Sequence, residues 1–241
     1  MYMNPFQGLE LQEIYDGLLI GTFGPRWPEE KLQKGYTGTS KIDLLRRAFA
    51  FIDILDKDGA FVSGWKGLDY GCGWGRFGST LLSKGTPEQL DLCDAWQITL
   101  DHLHSLNYSN HAFKVPSLLE ADSVPANNYD FGLSFSVFTH LSPRSFEANI
   151  PVLRDSLKEG GSFYITVRHD EFLDHKYSSR AEELRETLLR DGIVFLDSGG
   201  DMNREALFGD TVVTPDYLSR YGNARYLGKP HTLQHVYAIS R

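Results

Sequence analysis

Asp69 and the three glycines that follow at alternate positions, Gly71, Gly73 and Gly75, are the residues in this chain whose types and spacing most directly suggest chemistry. They sit in the run Gly67-Leu68-Asp69-Tyr70-Gly71-Cys72-Gly73-Trp74-Gly75-Arg76-Phe77-Gly78. Glycine at alternate positions bares the backbone and permits positive φ where the chain turns sharply. Peptide N–H groups, including that of Cys72, can then touch a ligand, and a helix opening at Arg76 would aim its unpaired N–H groups and positive dipole end at it. The pattern suits a nucleotide-type ligand. An acidic residue two positions before the first glycine adds a preference for a ligand carrying a positive amine or sulfonium. Gly73, Gly75 and Gly78 also satisfy G-x-G-x-x-G, the pyrophosphate-binding pattern of dinucleotide enzymes, so a nicotinamide cofactor is the competing ligand.

Leu68-Asp69-Tyr70-Gly71-Cys72-Gly73-Trp74-Gly75 resembles the first motif of the class I S-adenosylmethionine (SAM)-dependent methyltransferases: apolar, acidic, any residue, then G-x-G-x-G. Two more stretches extend the resemblance. Tyr129-Asp130-Phe131-Gly132-Leu133-Ser134-Phe135-Ser136-Val137, with Phe138-Thr139-His140-Leu141 after it, is similar to the family's fourth motif. Leu157-Lys158-Glu159-Gly160-Gly161-Ser162-Phe163-Tyr164-Ile165-Thr166-Val167 is similar to "LKPGGxLxIT", with Glu159 for proline. The resemblance is to small bacterial members carrying "GCGWGR" and "SVFTHL". It implies SAM as cofactor, S-adenosylhomocysteine as product, and Ser134 and Phe135 at the ligand crevice. It implies an N-terminal helix over the cofactor, with Tyr36 as the candidate to touch it; an aromatic plug in the core is the alternative for Tyr36. It also places the residue that reads adenine near the loop Leu119–Ser123, where Asp122 is the candidate and a solvated acid the alternative.

The sulfonium makes its methyl group strongly electrophilic, so such an enzyme chiefly aligns a nucleophile. A hydroxyl acceptor needs a base as well, and histidine is the natural one at neutral pH. His140 and His169 follow predicted strands at their carboxyl ends and are the two candidates. His102 and His104, two apart on a helix, cannot face one ligand together.

The elements that must position these groups follow from periodicity and punctuation. Residues 1 to about 39 read as an irregular arm or short helices. Ser40, with Asp43 three residues on, marks a helix start, and Ile42, Leu45, Phe49, Ile52 and Leu55 share one face of that helix. Gly67–Tyr70 is a buried strand, Arg76–Lys84 a helix stopped by Gly85, and Gln89–Asp94 the next strand. Asp94 ends that strand about 20 residues beyond the glycines, where an acid can accept from both ribose hydroxyls; Asp91 competes. Ala95 and Trp96 open a further helix, and Trp96 lies along the adenosine or in the core. Ser142 and Pro143 start a helix that Pro151 interrupts. After Arg168 the chain turns polar and reads as an inserted lid, and Ala224–Leu227 and His235–Ile239 read as a closing antiparallel pair.

A chain of 241 residues, 41% hydrophobic and 23% charged, suits one α/β domain. The expected architecture is a Rossmann-like seven-stranded sheet with helices on both faces. The arm and first helix span 1–60, the cofactor core 61–168, the substrate lid 169–210 and the closing helix and strands 211–241. A formal charge of -8 disfavours a nucleic-acid partner, which needs a basic face. No apolar run spans a bilayer, no signal peptide opens the chain, and two cysteines make neither a metal pattern nor a disulfide framework. The expected protein is a cytoplasmic, metal-free methyltransferase of a small molecule, oxygen favoured and sugar-bearing or from secondary metabolism. The rivals are an NAD(P)-dependent oxidoreductase, a protein or RNA methyltransferase, and a non-catalytic SAM-binding protein.

Overall fold

A computed structural model describes residues 2–197 and 207–241. The chain divides into two compact units, Met1–Val115 and Pro116–Arg241.

The first unit begins with the arm, which is helical: α1 (Leu11–Ile20) and α2 (Glu30–Thr37) precede the long α3 (Lys41–Lys57). Ser40 is the residue before α3, but its side chain makes no cap bond. The buried Gln33 of α2 does that work instead, its Oε1 accepting from the Lys41 N–H at 2.9 Å. A side chain from another helix thus satisfies one of the four orphan N–H donors at the start of α3. α3 buries Leu44, Leu45, Ala48, Phe51, Ile52 and Leu55 on one stripe. Then come β1 (Gly67–Tyr70), α4 (Arg76–Thr80), β2 (Leu90–Asp94), α5 (Gln97–Ser105) and β3 (Ala112–Lys114). The strands pair in parallel in the order β3-β2-β1, with Tyr70 opposite Cys93 and Asp94 opposite Lys114. α4 is shorter than expected, and its last turn tightens to a 3₁₀ turn over Leu81–Ser83.

In the second unit β4 (Tyr129–Ser134) pairs in parallel with β5 (Leu157–Val167). α6 (Pro143–Asp155) lies between them in sequence, with the Ser142 hydroxyl accepting from the Ser145 N–H. α6 continues through Pro151 rather than stopping there. Buried Phe146, Ile150 and Leu153 on one face offset the hydrogen bond that proline removes. Then follow α7 (Glu171–Tyr177), α8 (Ala181–Asp191), β6 (Ile193–Asp197), β7 (Gly209–Val213), α9 (Pro215–Leu218), β8 (Ala224–His231) and β9 (Gln234–Ser240). β9 runs antiparallel to both β5 and β8. β6 and β7 form a separate antiparallel pair, and Phe172, Leu173, Leu184, Leu188, Val194 and Val212 make a small core there. The segment read as a lid is thus built structure at 169–197 and 207–210; residues 198–206 lie outside the described residues.

The strand orders β3-β2-β1 and β4-β5-β9-β8, with the closing antiparallel strands, are those of a Rossmann-like, seven-stranded methyltransferase sheet, and β6–β7 is the addition. No helix among the described residues is long and apolar enough to cross a membrane.

Candidate functional site

The loop after β1 takes the shape that its glycines allow. Gly71, Gly73 and Gly75 all have positive φ, at 72°, 56° and 89°. The N–H groups of Gly71 and Cys72 both donate to the Cys93 carbonyl of β2, at 2.8 and 3.1 Å, which bends the chain over the end of that strand. Gly75 is needed for a second reason. A methyl group there would stand 2.6 Å from Leu103 of α5 and from the Tyr108 ring. Trp74 packs at 5.0 Å, edge to face, on Trp27 of the arm. Trp27 is itself fixed by its indole N–H, which donates to Ser79 Oγ at 2.6 Å. The arm is thereby bound to the loop it borders.

Two carboxylates serve this loop. Asp94 Oδ2 accepts from the Gly73 N–H at 3.1 Å, and Oδ1 from the Trp96 N–H at 3.0 Å. Burial raises the Asp94 carboxyl above its ordinary value, and those N–H groups, with that of Ala95, offset the rise only in part. Each oxygen keeps a further lone pair for a ligand hydroxyl. Asp91, its competitor, is occupied with Lys66 at 3.6 Å and His111 at 3.4 Å. Asp69 is fully buried on β1, and its Oδ2 has no hydrogen-bond partner. Burial raises its carboxyl to about 8 against the pull of the Arg76 guanidinium. Arg76 is buried too, which lowers it to about 10, and it lies over the Phe77 ring. A buried carboxylate oxygen without a donor is costly unless something supplies one. A cationic amine would do so. Tyr36, at the end of α2, lies across the loop: its ring stands 3.5 Å from where a side chain on Gly73 would begin. Its hydroxyl is 3.1 Å from His102 Nδ1. Trp96 is exposed, beside Asp94.

The first unit therefore brings together Tyr36, Asp69, Gly71, Cys72, Gly73, Gly75, Arg76, Asp94, Ala95 and Trp96. Three features of this neighbourhood lie beyond the sequence reading: the Trp27–Trp74 contact, the Gln33 cap, and the bond between Tyr36 and His102. Only for His102 was a signal available, its place on the helix that starts from Asp94.

The remaining candidates belong to the second unit. Asp122 is exposed in the loop between β3 and β4. Ser134 ends β4 with its hydroxyl buried and unpartnered, and Phe135 is buried 6.3 Å from the His231 ring. His140 has both ring nitrogens engaged. Nδ1 donates to the Gly209 carbonyl at 2.7 Å, and Nε2 accepts from Arg168 at 3.2 Å. Phe208 stacks on it at 4.9 Å. Burial first, and then the Arg168 charge, lower its titration to about 4. His169 is held in the same manner, between the Val213 carbonyl at 2.6 Å and the Tyr237 hydroxyl at 2.9 Å, and burial lowers it as well. Neither has an uncommitted lone pair. Among the described residues there is no cluster of three or more His, Cys, Asp or Glu able to hold a metal ion.

No protein-family model matches the chain, and no curated protein is similar to it in sequence. Solved structures are similar in fold. A SAM-dependent methyltransferase from Methanosarcina mazei matches at a TM-score of 0.52 and 13% identity, over 77% of this chain and 98% of its own. The fold is that of the class I SAM-dependent methyltransferases. The PH0226 protein of Pyrococcus horikoshii shares it at a TM-score of 0.61 and 14% identity, over 89% of this chain and 99% of its own. A SAM-dependent methyltransferase from Leishmania major matches at 0.52 and 14%, over 79% of this chain and 71% of its own. At such identities the likeness is one of fold.

Proposed function

We propose that the chain is a SAM-dependent methyltransferase acting on a small-molecule acceptor, and that the loop of the first unit holds the cofactor. The observation that carries this reading is the unpartnered, buried Asp69 Oδ2 beside three left-handed glycines, with Asp94 presented at the end of the neighbouring strand. The bound cofactor would supply a methyl group on a positively charged sulfur. Asp69 would face its positive charge. Asp94 would accept from its ribose hydroxyls, and the bare backbone at Gly73 would allow close approach. Trp96 has an exposed ring for the adenine to lie on. A pyrophosphate, by contrast, would bring more negative charge to the buried Asp69 and the partly buried Asp94, an unfavourable pairing.

We keep a small molecule, oxygen acceptor favoured, because the formal charge of -8 offers little to a nucleic-acid backbone. The hydrogen bonds of His140 and His169 favour structural roles for both over that of a base. We also propose a cytoplasmic site of action, consistent with two buried free cysteines.

The test is a thermal-shift panel with SAM, S-adenosylhomocysteine, NAD+ and NADP+. A ligand at ~100 times its dissociation constant stabilises by about 2.7 kcal/mol. A shift with SAM and its product alone supports the reading, and a shift with a nicotinamide cofactor alone replaces it. Methyl transfer that falls steeply as salt rises would point instead to a nucleic-acid acceptor.

A further inference from the structure

Tyr36 is placed by several independent anchors. Gln33, on the same helix, donates to the Pro28 carbonyl at 2.8 Å and accepts from the Lys41 N–H, which ties α2 at both ends. Trp27, just before α2, is fastened to Ser79 and Trp74. These contacts set where the Tyr36 backbone stands. They leave open which way its ring points. Two contacts settle that: the approach to Gly73, and the hydrogen bond to His102 Nδ1. The two rings meet edge to face at 5.9 Å and 73°. His102 comes from α5, whose first turn starts from the Asp94 carboxylate and whose Leu103 packs on Gly75. One helix therefore touches the loop at Gly75 and steers the ring that crosses it at Gly73.

We propose that His102 is a positioning residue of the cofactor site: it accepts the Tyr36 hydroxyl hydrogen bond, holds that ring across the glycine loop, and so raises affinity for the cofactor. The inference rests on the reading of the loop as a SAM site. The hydroxyl donates to Nδ1, which keeps the imidazole proton on Nε2. Without the bond the ring is free to leave its orientation, and the ligand must order it on binding.

The experiment is a double-variant cycle on the full chain, with S-adenosylhomocysteine as the calorimetric probe. Tyr36→Phe keeps the ring and removes the hydroxyl, and His102→Ala removes the acceptor. Each should weaken binding about fivefold, the size of one hydrogen bond. The double variant should be no weaker than either single one, because both remove the same bond. His102→Asn, whose amide oxygen can accept, should recover part of the loss. In the ligand-free protein, Tyr36→Phe should shift the His102 Nδ1 nitrogen resonance. Wild-type affinity in His102→Ala, losses that multiply in the double variant, or an unmoved Nδ1 resonance would each overturn the proposal. A wild-type protein that does not bind the probe at all would overturn the SAM reading itself, before any variant is compared.

Discussion

The glycine loop of the first unit and the Arg168–Asp210 network of the second both bury charge, and they treat it in opposite ways. Asp210 accepts from Arg168 at 2.7 Å, from Lys176 at 2.5 Å and from the Tyr177 hydroxyl at 2.5 Å. Burial raises its carboxyl, but those partners more than offset that and hold it below its ordinary value. Arg168 gives its other bonds to the Thr139 carbonyl and to His140 Nε2, and lies over the Phe172 ring at 4.1 Å. Asp69 is the reverse. Burial dominates there, one oxygen has no donor, and the carboxyl is raised to about 8. A saturated network is what a fold uses to join its parts. An unsatisfied buried carboxylate beside a bare backbone is what a binding site leaves for its ligand. The contrast teaches that the histidines at conspicuous strand ends are held by hydrogen bonds on both ring nitrogens, while the unsatisfied polar atom lies where side chains are fewest.

Breaking the saturated network should have the largest effect. Arg168→Ala strands Asp210 with fewer partners and His140 without its donor, and removing one member of a buried pair costs about 3–5 kcal/mol. Denaturant melts should show the low end of that range, because Lys176 and Tyr177 stay. The folded fraction should still bind S-adenosylhomocysteine. Lost binding in a folded Arg168→Ala protein would erase the contrast.

Gly75→Ala comes next. Its left-handed φ and the 2.6 Å approach of Leu103 and Tyr108 together should cost about 2–4 kcal/mol. Here stability and ligand affinity should fall together, since the strain bears on the loop itself. A neutral substitution would mean the loop is far more pliant than its contacts imply.

Smaller, and specific to the second unit, is the pH dependence set by His140. Its titration is about 4 in the fold and near 6.5 when unfolded. The fold favours the neutral ring, so its contribution is fully present above 6.5 and is lost as pH falls from 6.5 towards 4. His140→Gln, which can still donate to Gly209 and accept from Arg168, should flatten the acid limb of stability in urea melts. An unchanged limb would assign that window to other groups.

The loop was legible because its information is local. Five consecutive residues, Gly71 to Gly75, fix both the conformation and the absence of side chains, and Asp94 follows from strand periodicity and a turn. The parallel strands and the closing β8–β9 pair were legible for the same reason. What escaped depends on contacts between different elements of the chain. Gln33 caps α3 across a turn, Trp27 meets Trp74, and β7 finds β6 across a segment whose polar composition reads as a lid. The place of His140 at a strand end is local and legible, while the bonds that occupy its ring come from Gly209 and Arg168 and are not.

The central claim is that the first unit's loop holds a cationic nucleoside cofactor between Asp69 and Asp94. Calorimetric titration of S-adenosylhomocysteine, whose amino group carries a positive charge, tests it most directly when run in two buffers of different ionisation enthalpy. A cation beside Asp69 favours its ionised form, so binding near neutral pH should release a proton, and Asp69→Asn should abolish that release. Asp94→Ala should weaken binding by about 1.5–3 kcal/mol. Proton-free binding, or affinity unchanged in both variants, would contradict the account.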